Sequence, residues 1–373
     1  MTPSVRITGL FVLTAITFAI TAPVTAQQAA NRSPVVRQKI DSIFATYDRP
    51  DTPGASVVVV RDGVVAFDAA YGMADLEAKV RATPRTDYRL ASLTKQFTAT
   101  AIMLLIQDGK LGLDQPAASV LPGLPLPARS VTVRQLLTHT SGLWAYEDFV
   151  PDSQSTQVTD RDVLSLIGRA DSTYFTPGTQ YRYSNSGYVV LGLIVEAVSH
   201  RPFAEFLRDR IFAPLHMDST VAFRAGVSSV PNRAFGYSKA ATGFRRTDQS
   251  PTSATLGDGG IYTSTHDLVA WNRALDEHTL INAAMQQLAW TPNRLSNGTA
   301  TTYGFGWNID QRRRGRHIWH TGETRGFTNA IVKYPDQGLT VIVLTNRSGG
   351  DPLSLAEAVA ALPAFGGAGA ERD

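Results

Sequence analysis

The sequence predicts an α+β fold in which one antiparallel sheet is built from both chain ends and flanked by helices, with a mostly helical insert between them. Runs rich in β-branched residues occur at residues 54–67 and again at residues 318–344. Between these runs, apolar residues recur at helical spacing in several segments. Because strands lie at both ends and helices lie in the middle, a single sheet closed by the two termini is the economical arrangement.

The N-terminal part of this sheet is predicted from three neighbouring patterns. Residues 33–48 place apolar side chains at helical spacing, which indicates an amphipathic helix. A continuous β-branched run covers residues 54–60, and a second apolar run covers residues 64–67. The pair Asp62-Gly63 lies between them, and an Asp-Gly pair between two β runs is typical of a hairpin.

The middle and the end of the chain complete the prediction. Further helices are expected over residues 92–108, 131–138, 160–169, 186–199, 202–212, 265–276 and 352–362, and further strands over residues 318–320, 328–334 and 339–344. Long loops rich in Pro, Gly and Ser separate the middle helices, at residues 144–158, 223–260 and 291–302. We therefore expect one domain over residues 27–363, with sheet parts at about 33–90 and 303–362, a helical part at about 91–302, and a flexible tail at 364–373.

The first residues have the pattern of a secretory signal peptide. Arg6 precedes a short apolar run at residues 7–20, and the small-residue site Val24-Thr25-Ala26 follows it. An uncleaved membrane anchor is the alternative, but the run is short for a span of about 20 residues and is diluted by threonine. The sequence therefore predicts cleavage after Ala26, an exported protein that is periplasmic or secreted, and no membrane span afterwards.

Composition narrows the possible chemistry. The 373 residues include no cysteine, which excludes disulfides, thiolate catalysis and cysteine-based metal sites. The net charge is only +3, and the one dense basic run, residues 312–316, reads as a solvated turn between two strands, so no nucleic-acid partner is expected. His317 and His320 lie three apart on a predicted strand and should face opposite sides. The sequence therefore predicts neither a metal site nor a cofactor.

Ser92 and Lys95 form the first candidate catalytic pair. A serine hydroxyl is a weak nucleophile until a base removes its proton. Residues three apart share one face at a helix start, so Lys95 is expected beside the Ser92 hydroxyl. A buried lysine can lose its proton near neutral pH. The same spacing also fits an N-capping serine and a surface lysine, but here it opens the most apolar helix of the chain.

Two further elements carry polar groups suited to the same chemistry. Tyr183 and Asn185 lie two apart and point the same way in an extended loop, where a phenol can relay a proton and a carboxamide can hold a lysine. The segment His320-Thr321-Gly322-Glu323 ends a predicted strand, whose edge can offer backbone N–H groups to an oxyanion. A self-bonded loop and an ordinary strand-to-turn junction are the respective alternatives, which these residues alone leave open.

Taken together in this order, Ser-x-x-Lys, Tyr-x-Asn and His-Thr-Gly resemble the serine β-lactamase and penicillin-binding protein family, in its class C β-lactamase and DD-peptidase branch. That branch also contains esterases and D-aminopeptidases. The resemblance covers about residues 36–360 and implies a β-lactamase/transpeptidase-like fold. Three further segments resemble the family, at residues 136–143, 257–264 and 303–307.

The resemblance implies a role for each motif residue. Ser92 would be the acylated nucleophile, Lys95 and Tyr183 would share the general-base and general-acid duty, and Asn185 would orient Lys95 and the substrate. His320, Thr321, Gly322 and Glu323 would form the substrate-binding strand. The backbone N–H groups of Ser92 and Glu323 would form the oxyanion hole.

Glu323 and His320 are departures from the family pattern, and they bear on the substrate. The resemblance implies a small residue at 323, near the carboxylate of the substrate, and a lysine at 320 in many β-lactamases. A glutamate at 323 repels a carboxylate, and histidine at 320 removes a fixed positive charge. We therefore expect an esterase or a peptidase-type enzyme acting on a small ester, amide or short peptide. The alternatives are a class C-like β-lactamase, a D-Ala-D-Ala carboxypeptidase, and a non-catalytic penicillin or peptidoglycan sensor.

Overall fold

The computed structural model describes residues 34–366 apart from residue 152. The main sheet is antiparallel and has six strands, which are β1 (Ala55–Arg61), β2 (Val64–Tyr71), β10 (Asn308–Arg312), β11 (Gly315–Thr324), β12 (Phe327–Tyr334) and β13 (Leu339–Thr345). Their order in the sheet is β10-β11-β12-β13-β1-β2. Shorter strands are β3 (Met73–Asp75), β4 (Val80–Arg81), β5 (Tyr88–Arg89), β6 (Val221–Ala222), β7 (Tyr237–Lys239), β8 (Phe244–Arg246) and β9 (Ile261–Thr263).

The two ends of the described chain meet in the centre of this sheet. Strand β1 pairs with β13 from Ala55 opposite Thr345 to Arg61 opposite Leu339, and β2 pairs with the other edge of β1. The predicted α+β fold, with one antiparallel sheet made by both chain ends, is confirmed.

Helices cover both faces of the sheet. They are α1 (Pro34–Ile43), α2 (Lys95–Gln107), α3 (Val133–Leu137), α4 (Asp160–Ile167), α5 (Asn185–Ser199), α6 (Phe203–Leu207), α7 (Thr265–Asp276), α8 (Ala283–Ala289) and α9 (Pro352–Ala360). Val57 and Val59 of β1 pack in the core under the first and last helices, whereas Val58 and Val60 pack in the larger core with the inserted helices. Because successive side chains of a strand point to opposite faces, two covered faces explain the uninterrupted valine run.

The differences from the predicted elements have simple physical causes. Strand β10 was not predicted because its sequence is largely polar, which an edge strand with one neighbour tolerates. Strands β7 and β8 form a hairpin within the loop predicted at 223–260. The regular part of the helix predicted at 202–212 ends at Leu207, and a wider helical turn, Arg208–Phe212, follows it.

Two predictions concern the ends of the chain, parts of which lie outside the described residues. The signal peptide and its cleavage site lie outside the described residues. Within the tail predicted at residues 364–373, Phe365 is buried and its carbonyl oxygen accepts a hydrogen bond from Arg61, whereas residues 367–373 lie outside the described residues. Within residues 34–151 and 153–366, no helix is long and apolar enough to cross a membrane.

Candidate active site

Ser92 lies in a tight helical turn, Ala91–Thr94, that leads directly into α2. Ala91 has a φ of +50°, a left-handed conformation that is uncommon for a residue with a Cβ atom. The end of β11 packs against this turn so closely that a methyl group on Gly322 would lie 2.0 Å from the Leu90 carbonyl oxygen. Only glycine therefore fits at position 322, and the turn is fixed against the sheet.

Lys95 is completely buried at the start of α2. Its Nζ atom lies 3.0 Å from Ser92 Oγ, 2.8 Å from Asn185 Oδ1 and 3.0 Å from the Asp258 carbonyl oxygen. An ammonium group can donate to all three oxygens. A neutral amine can donate to two of them and accept the Ser92 proton on its lone pair. The same three contacts therefore suit both protonation states of the lysine.

Asn185 is fixed by groups on both sides of its carboxamide. Ser184 caps the N-terminus of α5 through its side chain, which accepts a hydrogen bond from Gly187 N and places Asn185 in the first helical position. The Asn185 Oδ1 atom accepts from Lys95, and its Nδ2 atom donates to Glu147 Oε1 at 2.6 Å. Burial raises the pKa of the Glu147 carboxyl above its usual range.

Tyr183 lies near Lys95 and is partly exposed. Lys95 Nζ lies 5.0 Å from the centre of its ring, and 39% of the residue is exposed. The ring of His139 packs against it with centres 4.2 Å apart, and His139 Nδ1 accepts a hydrogen bond from Ser184 N. In the part of the chain that the structure describes, no group bonds to the Tyr183 hydroxyl. The side chain is therefore held by ring packing, with its hydroxyl unpaired.

His320 is buried behind these residues. Its Nε2 atom lies 2.9 Å from the Tyr303 hydroxyl and its Nδ1 atom lies 2.6 Å from the Thr321 carbonyl oxygen. Burial, with a smaller contribution from the Lys95 charge, lowers the pKa of His320 to about 3. The imidazole is therefore neutral at neutral pH. His317 bonds to Asp310 and lies on the other side of β11, as the spacing of the two histidines predicts.

A small cavity of about 80 Å³ lies over Ser92. Its walls are Arg89, Ala91, Ser92, Tyr146, Glu147, Asn185, Thr252, Thr255, Asp258, Gly259, Glu323 and Thr324. The structure therefore brings Ser92, Asn185 and Glu323 together around one space, with Lys95 beneath Ser92. The predicted site residues that do not line this cavity are Lys95, Tyr183, His320, Thr321 and Gly322, and Gly322 acts in the packing of the turn that carries Ser92.

Comparison with known families agrees with this geometry. The profile of the family described as Beta-lactamase matches residues 40–364. The chain belongs to the Beta-lactamase family. Its relatives in that family include "Penicillin-binding protein 4*" of Bacillus subtilis (strain 168), which is 31% identical over 328 residues, or 83% of this chain and 72% of the relative. "Protein flp" of Staphylococcus aureus (strain MRSA252) is 29% identical over 326 residues, which are 83% of this chain and 63% of that protein.

A solved structure of the Beta-lactamase fold extends the comparison to an amidase. The D-amino acid amidase from Ochrobactrum anthropi SV3, complexed with L-phenylalanine amide, superposes with a TM-score of 0.75. It is 26% identical to this chain, and the match covers 89% of this chain and 99% of the amidase. This Beta-lactamase-family protein is a serine hydrolase that acts on an ester or amide bond through an acyl-enzyme.

Sequence reasoning did not find Glu147 or Asp258 as parts of the Beta-lactamase-family site. Glu147 lies in the loop predicted at 144–158, and no periodicity or motif marks it. Asp258 contributes its carbonyl oxygen to Lys95, and any residue type has such a group. Asp258 does lie in the glycine-rich segment 257–264, which the resemblance singled out, so the segment was found but not its contact.

Proposed function

We propose that Ser92 is the nucleophile and that Lys95 is the base that activates it. The observation that carries this proposal is the 3.0 Å contact between Ser92 Oγ and a completely buried lysine whose other two partners are neutral oxygens. As the neutral amine accepts the serine proton, the Ser92 oxygen bonds to the substrate carbonyl carbon. The resulting ammonium keeps all three of its partners, so proton transfer leaves no donor unpaired.

Tyr183 is the proposed partner in moving the proton to the leaving group. Its hydroxyl is unpaired within the described chain, and Lys95 Nζ lies 5.0 Å from the centre of its ring. A phenol in this position can donate a proton to a departing alcohol or amine. The proposed oxyanion hole is the pair of backbone N–H groups of Ser92 and Glu323, two residues that line the same cavity.

The proposed substrate is an ester or amide with no carboxylate beside the bond that is cleaved. Glu323 is exposed at the cavity and forms no ion pair with another described residue. His320 is neutral, so it does not replace a lysine as a fixed cation. These features favour an esterase or a peptidase-type enzyme over a β-lactamase or a carboxypeptidase, both of which act on substrates with a carboxylate near the reacting carbonyl.

The proposed location of the enzyme is outside the cytoplasm, in the periplasm or the medium. This proposal depends on the N-terminal 26 residues, which have the pattern of a cleaved signal peptide. N-terminal sequencing of protein exported from its natural host tests it, with Gln27 as the expected first residue.

The experiment for the central proposal is active-site labelling with a fluorophosphonate, read by intact mass, beside turnover of p-nitrophenyl esters and a penicillin. We expect one label per chain, no label in Ser92→Ala, and multiple ester turnovers. A label retained in Ser92→Ala overturns the nucleophile, and one acylation without turnover points to a sensor. Penicillin turnover as fast as ester turnover overturns the substrate assignment.

A further inference from the structure

The cavity over Ser92 has acidic groups on three of its sides. Glu147 lies in the segment between α3 and α4, Asp258 lies in the loop before β9, and Glu323 lies at the end of β11. They therefore belong to three separate parts of the fold and converge only at the nucleophile. A cavity of about 80 Å³ has the volume of only a few water molecules, since each occupies about 30 Å³ in the liquid.

The cationic side chains near this cavity already have hydrogen-bond partners. Arg89 is buried, and its guanidinium donates to Ser253 O at 2.8 Å, Gln249 Oε1 at 3.2 Å and Gly259 O at 3.3 Å. Lys95 has its three contacts with Ser92, Asn185 and Asp258. Across residues 34–151 and 153–366, none of the three acidic side chains forms an ion pair with a lysine or arginine. Asp258 is 6% exposed, and its Oδ1 atom has no partner there.

Such an arrangement is unfavourable unless a positive charge enters it. Burial already raises the pKa of the Glu147 carboxyl, and the single side-chain hydrogen bond from Asn185 offsets this only in part. Glu147 and Asp258 are withdrawn from water without a cation in direct contact, which is destabilising, whereas Glu323 is exposed at the same cavity. An ammonium group that donates to these carboxylates recovers part of that cost. A ligand with a compact cation therefore fits this cavity, whereas a carboxylate is repelled from it.

We propose that Glu147 and Glu323 form a subsite for the protonated amine of the substrate, next to the carbonyl that Ser92 attacks. Because Glu147, Glu323 and Ser92 line one small cavity, the proposal places the amine close to the carbonyl, on its α-carbon. The substrate class is then an amino-acid amide or ester, or a peptide with a free N-terminal residue. This inference rests on the proposed function, since it uses Ser92 as the nucleophile, and it assigns the enzyme an aminopeptidase or aminoacyl-amidase activity.

The reaction in this subsite balances without a further reactant. The Ser92 oxygen bonds to the aminoacyl carbon, the C–N or C–O bond to the leaving group breaks, and the proton taken from Ser92 passes to that leaving amine or alcohol. Water then adds to the aminoacyl ester, the Ser92 oxygen leaves with a proton, and the free amino acid departs. The α-ammonium stays between Glu147 and Glu323 through both steps.

The test compares alaninamide with lactamide as protectors of Ser92 against the fluorophosphonate label. The two amides differ only in that an ammonium replaces a hydroxyl, and both enantiomers of each are used. We expect alaninamide to protect at a concentration at least about tenfold lower than lactamide, because a charge-assisted contact in a partly buried site is worth a factor of this size. Protection by lactamide equal to or better than that by alaninamide overturns the subsite.

Variants assign the preference to the two glutamates. In Glu147→Gln and in Glu323→Gln, we expect the ratio of lactamide to alaninamide concentrations to fall about tenfold towards one. Glu277→Gln, an exposed glutamate after α7, is the matched control and should keep the wild-type ratio. A preference unchanged in both site variants also overturns the assignment. Because the readout is a ratio on one enzyme, a general loss of labelling rate does not mimic the expected result.

The two proposals fail in different ways. If the label remains in Ser92→Ala, the nucleophile is wrong. If Ser92 takes the label but alaninamide has no advantage, the nucleophile stands and the amine subsite is wrong. Turnover of alanine p-nitroanilide against its N-acetyl derivative gives an independent check, with the free amine expected to be faster.

Discussion

Two lysines are fully buried in this protein, and their surroundings differ in one respect. Lys95 contacts only neutral oxygens, from Ser92, Asn185 and the backbone of Asp258. Lys333 on β12 also contacts two neutral side chains, Asn272 and Thr340, but its Nζ atom lies 2.9 Å from the carboxylate of Asp276 as well. One lysine therefore has a direct counter-ion and the other does not.

This difference separates a lysine with a structural counter-ion from the lysine that we propose as the base. Burial lowers the pKa of Lys333, and the Asp276 carboxylate in contact with it opposes that shift. At Lys95 no carboxylate is in direct contact, and a hydroxyl that can give up its proton takes that place. Burial alone therefore does not identify a catalytic lysine; the nature of its nearest partner does.

The largest expected effect separates the two lysines by activity. Lys95→Met removes the proposed base, and we expect kcat/KM for a p-nitrophenyl ester to fall on the order of 10³-fold, the usual size of a general-base contribution. Lys333→Met should keep most of the wild-type rate, since the polar partners of Lys333 are Asn272, Thr340 and Asp276, none of which contacts Ser92. Steady-state kinetics of the two purified variants check this, with circular dichroism to verify folding. Equal loss of activity in two folded variants would contradict the comparison.

The next expected effect is on stability, and it concerns Lys333. Lys333→Met leaves the Asp276 carboxylate without its cation, and we expect the free energy of unfolding to fall by about 2 kcal/mol. The full cost of a broken buried pair is higher, but 42% of the Asp276 side chain is exposed and water screens it. Urea denaturation measures the change. Arg134→Met, which breaks the exposed pair with Asp114, is the control and should cost below about 1 kcal/mol.

The last prediction concerns the acid sensitivity of stability that His320 causes, in which the charge of Lys95 has a small part. The pKa of His320 is lowered to about 3, so the folded state holds the neutral imidazole and loses stability as the pH falls from about 6.5 towards 3. Between pH 7 and pH 5 we expect a loss of about 2 kcal/mol from this residue, which His320→Gln should remove. Between pH 5 and pH 4, Lys95→Met should reduce the further loss in part, because the Lys95 charge is one cause of the shift and its removal raises the folded-state pKa of His320, whereas Lys333→Met should not. Urea denaturation at pH 7 and pH 5 measures the first loss, and a third measurement at pH 4 tests the second. An identical acid loss in wild type and His320→Gln would contradict the prediction.

The parts of the fold and site that sequence predicted are those set by local spacing. The alternation of Val57 with Val58 follows from strand geometry, and the proximity of Ser92 to Lys95 follows from helix geometry. The opposite faces of His317 and His320 follow from the same rule. Each of these predictions needs only the position of residues within one element.

The parts that sequence could not predict depend on contacts between distant segments. Glu147 reaches Asn185 across 38 residues, from a loop with no periodic pattern. The family resemblance placed His320 on the substrate-binding strand, but the Tyr303 hydroxyl bonds to its ring, which lies outside the cavity lining. Counter-ions such as Asp276 for Lys333 are likewise visible only when two elements pack together.

The pairing of β1 with β13 has a consequence for how the molecule is made. Gly54 N donates to Asn346 Oδ1 at 2.6 Å, a contact between residues 292 positions apart. A growing chain therefore carries the finished β1–β2 hairpin for nearly the whole of its synthesis with one hydrogen-bonding edge open. Long-range strand pairing is slow, and an open apolar edge is a template for another copy. Folding of the sheet is thus complete only when the last strand arrives, and a chain that ends before residue 339 would aggregate through the edge of residues 57–60.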